Sequence, residues 1–161
     1  MRCSSLRSWT KVSDMRTGKI ISLFLILFCA GAVFAGEAEM KIRIKITTSS
    51  GNHTLTASLA DNSSAKAFAE LLKKGPVTVD MHDYGSFEKV GDLPASLPRN
   101  DTSITTEPGD IILYQGNKIT IYYDTNSWTF TRLGKVEGVS TAQLRKMLGK
   151  GNITAVFELS E

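Results

Sequence analysis

Only two histidines occur in the 161 residues, His53 and His82, and His82 has acidic neighbours in Asp80 and Asp83. On a strand, Asp80 and His82 point to the same side, where a carboxylate can hold an imidazole in one tautomer. Acid–base work at such a pair needs a nucleophile or substrate beside it. Ser86 is the nearest serine, and no nucleophile-elbow pattern surrounds it. The group therefore reads as a polar strand face, and His53 as a solvated position beside a turn. No Gly-rich phosphate loop, HExxH pattern or Cys/His metal spacing is present, so no catalytic residue, metal or cofactor is expected.

The aromatic residues carry more promise. Tyr84, Phe87, Tyr114, Tyr122, Tyr123, Trp128 and Phe130 fall within one stretch. Tyr122 and Tyr123 must face opposite sides of a strand, whereas Trp128 and Phe130 share a side. Most such rings pack a core, but aromatic walls with a few polar groups are also how ligand pockets are built. Glu88 and Arg132 are the polar members that best suit such a wall. Lys41, Arg43 and Lys45 form a cationic stripe that reads as the solvated side of a strand. Asn-x-Ser/Thr sequons at Asn52, Asn62, Asn100 and Asn152 coincide with predicted turns or helix starts and read as turn chemistry.

The N-terminus looks like a processing segment. Residues 20–35 read IISLFLILFCAGAVFA, after Arg16 and Lys19 and ahead of Gly36-Glu37. A basic flank, an apolar stretch and small residues at Val33 and Ala35 make a secretory signal. Its 16 residues span about 24 Å as a helix, short of the roughly 30 Å hydrocarbon core. Met15 opens a more usual leader than Met1, and Phe28 is too bulky ahead of Cys29 for a lipoprotein site. Residues 1–35 are thus expected to be an extension and signal peptide that is removed, 36–39 a polar lead-in, and 40–161 the domain. The leader takes with it five of the 19 Lys and Arg, one of the 16 Asp and Glu, and both cysteines, Cys3 and Cys29. The remainder carries 14 basic against 15 acidic groups, which gives no support for a nucleic-acid partner. It has no thiol or disulfide and must be held by its core.

The elements that position these residues follow from periodicity. Residues 40–46 alternate strictly, and 53–59 form a second strand after the Ser50-Gly51-Asn52 turn. Residues 61–64 supply helix caps for an apolar face of Ala65, Phe68, Ala69 and Leu72, ended by Gly75-Pro76. A third strand covers 77–82. Residues 84–108, with Pro94, Pro98 and Pro108, read as a long irregular loop in which Leu93-Pro94 and Leu97-Pro98 supply stiffness. Strands at 110–114 and 118–123 flank a Gly116-Asn117 turn. A strand at 128–132, a helix capped by Ser140 or Thr141 and a strand at 152–159 complete the chain. Seven or eight strands and two helices that do not alternate as βαβα predict a mainly β fold, a closed antiparallel barrel with two short helices.

The middle of the chain resembles a known family. The segments Asp83-Tyr84-Gly85-Ser86-Phe87-Glu88-Lys89-Val90-Gly91-Asp92-Leu93-Pro94, Pro108-Gly109-Asp110-Ile111-Ile112-Leu113-Tyr114, Ile121-Tyr122-Tyr123 and Thr129-Phe130-Thr131-Arg132-Leu133-Gly134 follow in an order similar to bacterial cyclophilin-like domains. The resemblance spans about residues 40–159 and implies a cyclophilin-type β-barrel, in a family whose members mostly lack an assigned activity. The Phe-His-Arg motif of true cyclophilins is absent, because neither Arg99 nor Arg132 has the His partner, so isomerase catalysis does not carry over.

Taken together, these features predict an exported, periplasmic or secreted cyclophilin-like barrel. It would hold a small molecule or an extended, proline-containing peptide in a groove bounded by the 83–99 loop. The expected ligand-binding residues are Tyr84, Glu88, Arg99, Tyr114, Tyr123 and Arg132. Membrane contact is expected only through the transient signal segment. A peptidyl-prolyl isomerase with a rearranged site and an interaction module for an envelope or redox protein are the alternatives.

Overall fold

The structure is a computed structural model, and it describes residues 39–160. The expected leader and both cysteines lie outside the described residues.

Strict alternation builds the first hairpin. In β1 (Lys41–Thr48), Ile42, Ile44 and Ile46 are buried while Lys41, Arg43 and Lys45 face outward. Strand β2 (Gly51–Leu59) pairs with it antiparallel and buries Leu55, Ala57 and Leu59. Helix α1 (Ser63–Lys73) starts where the Asn62 side chain accepts from the Ala65 N–H at 2.8 Å. It buries Ala65, Phe68, Ala69 and Leu72, the face that the i, i+3, i+4, i+7 spacing prescribes. Strands β3 (Val77–Tyr84) and β4 (Glu88–Asp92) form a second hairpin. Next come the short β5 (Thr102–Thr105), the β6–β7 hairpin (Asp110–Tyr114, Lys118–Tyr122) and the long β8 (Ser127–Glu137). Helix α2 (Thr141–Leu148) begins with a reciprocal capping box between Ser140 and Gln143, and β9 (Ile153–Leu159) closes the chain.

The sheet order is β2-β1-β9-β3-β4-β7-β6-β8-β5, with every pairing antiparallel. A further pairing of β2 with β8 joins the two ends of eight strands into a closed barrel, and β5 is an extra strand on the first half of β8. Closure removes the unpaired edges that a curled sheet would otherwise present. The barrel interior is filled by side chains such as Ile44, Ala57, Met81, Ile111, Leu113, Ile121, Leu133 and Phe157, and both helices add their apolar faces to it. Phe68 of α1 meets Phe157 of β9 edge-on at 5.8 Å.

Two expectations need correction. Residues 84–108 are not one irregular loop, because β4 and β5 lie within them. The β4 sequence, Glu-Lys-Val-Gly-Asp, shows no alternation because both of its faces are covered, Lys89 included. Gly91 is required there by close packing, since a Cβ would stand 2.4 Å from the Asp80 carbonyl oxygen of β3. The strand expected at 128–132 continues to Glu137, past Gly134, which reads as a break but is forced by the approach of β2.

Candidate functional site

A second apolar cluster sits on the outside of the barrel wall. On β6 and β7, Ile111, Leu113, Ile119 and Ile121 point inward, so Ile112, Thr120 and Tyr122 point the other way. Glu88 of β4 stands directly opposite Tyr122 on β7 and opposite Tyr84 on β3, which places all three in one row across the outer face. Phe130 of β8 packs on Tyr122 and Ile112 from the far side.

A tight turn brings in a further ring. Gly85 and Ser86 both have positive φ, 58° and 60°, and the Phe87 N–H donates to the Tyr84 carbonyl at 3.3 Å. Gly85 cannot carry a side chain, since its Cβ would lie 2.2 Å from the Phe87 ring. Phe87 is thereby turned back over the wall and stacks on Tyr122, with centroids 5.9 Å apart and planes within 5°. Its carbonyl accepts from the Tyr123 and Asp124 N–H groups and fixes the end of β7. Tyr84 meets Phe87 edge-on at 6.2 Å, Tyr122 contacts Phe130 at 5.8 Å, and Phe130 contacts Tyr114 at 6.2 Å. The result is a continuous run of rings bounding a cleft of about 160 Å³, with Trp128, Asn126 and Glu88 completing its lining. Tyr84 is 61% exposed and Trp128 64%, an unusual degree of exposure for large rings.

Glu88 is the charged residue of this lining, and it is only 7% exposed. Burial pushes its carboxyl above the ordinary range. The Tyr122 and Thr120 hydroxyls and, more weakly, His82 pull the other way without reversing the direction. Neither hydroxyl completes a well-formed bond to Oε2. That oxygen and Thr120 Oγ1 are both buried without a hydrogen-bond partner. Burial, followed by the hydrogen bond toward Glu88, also raises the Tyr122 phenol. Asn126 Nδ2 reaches the Tyr122 hydroxyl at 3.5 Å.

Of the six residues expected to line one groove, three meet in the cleft and three lie at separate places. Tyr84, Glu88 and Tyr114 meet in the cleft. Tyr123, one position after Tyr122, alternates to the opposite side, where its hydroxyl donates to Asp83 Oδ1 at 3.0 Å and Arg145 lies over its ring at 5.9 Å. Burial and then the Asp83 hydrogen bond push its phenol up to about 12. Arg99 is drawn to Asp101. Arg132 pairs at 2.9 Å with Asp110, a carboxylate buried at the start of β6 and bonded also by Lys135 at 3.0 Å. A carboxylate holds each arginine: Asp101 lies two residues along the chain from Arg99, whereas Asp110 reaches Arg132 only through the pairing of β6 with β8, which residue order alone does not reveal. The lining residues absent from the expected six are Phe87, Tyr122, Asn126, Trp128 and Phe130. The four rings belonged to the aromatic stretch already noted, and the shared side of Trp128 and Phe130 was legible, but Asn126 had no local signal.

Other candidates have simpler roles. The Asp80 carboxylate accepts from Thr154 Oγ1 at 2.7 Å, while His82 is exposed in a shallow hollow nearby. Ser86 faces a separate hollow with Asp83 and Tyr123. The cationic stripe on β1 is held by Glu137 and Glu158. Asn62 and Asn100 of the sequons are committed internally, Asn62 to the α1 N-cap and the Arg132 carbonyl, and Asn100 to Ser63 and Ser64. Among the described residues no group of three or more His, Cys, Asp or Glu is placed to hold a metal, and no helix is long and apolar enough to cross a membrane.

Comparison with known proteins agrees with this architecture. The pattern of the cyclophilin-like family matches residues 48–158, and the chain belongs to that family. The solution structure of the hypothetical protein AF2241 from Archaeoglobus fulgidus is similar over 78% of this chain and 99% of its own, with 16% identity and a TM-score of 0.53. The structure of McbB in complex with tryptophan is similar over 71% of this chain and 44% of its own, with 16% identity and a TM-score of 0.49. No curated protein matches the sequence significantly.

Proposed function

We propose that this cyclophilin-like barrel is a binding protein that holds a small molecule or the side chain of an extended peptide in the outer aromatic cleft, without covalent chemistry. The observation that carries the reading is the ring of six aromatic side chains around Glu88, two of them more exposed than half, on a barrel whose interior is already filled. Large rings left open to water have a hydrophobic reason to be covered. The cleft lining contains a carboxyl and no guanidinium, which favours binding over an arginine-assisted isomerase. Export of the protein is part of the proposal and is supported by the basic and apolar pattern of residues 16–36.

A thermal-shift screen of small metabolites and proline peptides tests this. A true ligand at about one hundred times its Kd stabilises the fold by about 2.7 kcal/mol. That shift should be lost in Trp128→Ala, whose exposed ring can be removed at little cost to stability. A screen without any stabilising compound, or a shift unchanged in Trp128→Ala, overturns the reading. The same proline peptides report on the isomerase alternative, which requires exchange faster than the uncatalysed tens of seconds.

A further inference from the structure

We infer that the aromatic cleft selects an organic cation, an alkylammonium or guanidinium group seated against the rings with its charge at Glu88. The inference rests on the binding role proposed above and adds the chemical class of the ligand.

The first reason is an imbalance between the two buried carboxyls of the described residues. Asp110 is matched by Arg132 at 2.9 Å and Lys135 at 3.0 Å. Glu88 has no ion pair among the described residues, and its Oε2 has no hydrogen-bond partner at all. Lys89 is next in sequence but alternates to the barrel interior, where its ammonium is taken by Asp83 at 2.7 Å and the Gly151 carbonyl at 2.6 Å. A buried carboxyl is costly unless a charge or hydrogen bonds answer it. No cation of the described residues supplies that charge, and Glu88 lines the cleft, so a cation seated there would stand next to the carboxyl.

The second reason is the wall itself. Aromatic faces carry negative potential and attract cations, most strongly where water is excluded. Tyr122, Phe87 and Phe130 are fixed by one another, so the wall is formed before any ligand arrives. An anion would meet both the ring faces and the carboxyl unfavourably. A neutral apolar group would satisfy the rings and leave Oε2 unanswered.

Acidity supports the same reading. The groups acting on Glu88 are Tyr122 and Thr120 of β7 and His82 of β3, and Tyr84 stands opposite it in register. Burial raises the Glu88 pKa, and a bound cation favours the ionised form. Cation affinity should therefore fall as pH drops through the raised value, and binding there should release a proton.

The full chain can be tested by calorimetric titration with tetramethylammonium and with 3,3-dimethylbutanol, a neutral group of similar shape, and with a capped lysine tripeptide to separate free amines from side chains. Tetramethylammonium or the lysine peptide should bind about tenfold or more tightly than the alcohol. In Glu88→Gln, which keeps the shape and removes the charge, that preference should vanish while the alcohol still binds. Equal binding of cation and alcohol to the unaltered protein, or a preference retained in Glu88→Gln, overturns the inference and leaves the cleft as an apolar site. Failure of all three probes also overturns it, and the binding role then stands or falls on the broader thermal-shift screen.

Discussion

Glu88 and Lys89 are adjacent in sequence and opposite in fate. Alternation sends the carboxyl outward into the aromatic cleft and the ammonium inward, where it is fully buried. Burial raises the pKa of Asp83, but Lys89, the Gly151 N–H and the Tyr123 hydroxyl together outweigh it, so the Asp83 carboxyl lies below its ordinary range. Its stabilising effect is present above the unfolded pKa and is lost as pH falls through the folded one. Glu88 has the reverse sign. Its folded pKa is raised above 4.5, so its contribution is fully present below the unfolded value and is lost as pH rises through the folded one. Glu88→Gln should accordingly be more stable than the parent by about 1 kcal/mol at alkaline pH, the low end of the cost of an unsatisfied buried polar group. The gap should shrink at acid pH, which urea unfolding across a pH series will measure. A substitution that destabilises equally at every pH would show that the carboxyl is satisfied after all.

At the scale of the element, β8 joins the two halves of the molecule. Its first half carries β5 and the rings of Trp128 and Phe130, its middle pairs with β6, and its last residues pair with β2. Gly134 stands where both neighbours meet, opposite Leu59 of β2 and Ile111 of β6. A Cβ at that position would lie 2.2 Å from the Ser58 carbonyl oxygen, a backbone atom that cannot swing aside. Gly134→Ala is therefore expected to cost about 3 kcal/mol, seen as a lowered unfolding midpoint. β4 makes a related point about legibility. Its charged and glycine-containing sequence hides a strand, because Lys89 is buried only through Asp83 across the β3–β4 turn and the Gly151 carbonyl far along the chain. The β1, β2 and α1 segments hid nothing, since one face of each meets water and the other the core.

At the scale of the molecule, the closed barrel of the described residues is held by its packed interior. The described residues include no cysteine, and the interior cluster runs continuously from β1 through both helices to β9. The unfolding midpoint of the barrel should therefore be the same with and without a thiol reductant, as differential scanning calorimetry can show. A drop on reduction would mean that Cys3 or Cys29 is tied to the stability of the domain. Closure also explains why the cleft is external. The interior is packed with Ile, Leu and Phe, and the cleft is built from outward-facing residues and the turn that folds Phe87 over them.

Local rules sufficed for the hairpins, the helix caps, the mainly β character and the concentration of aromatic residues between Tyr84 and Phe130, because periodicity and turn chemistry act within a few residues. The barrel's closure, the strand at Glu88–Asp92 and the choice of which rings share a wall depended on register between strands distant in sequence. A shift of one residue would exchange Tyr122 for Tyr123 and Glu88 for Lys89 at the cleft. Only the folded chain sets that register, through the burial of one complete face of every strand at once.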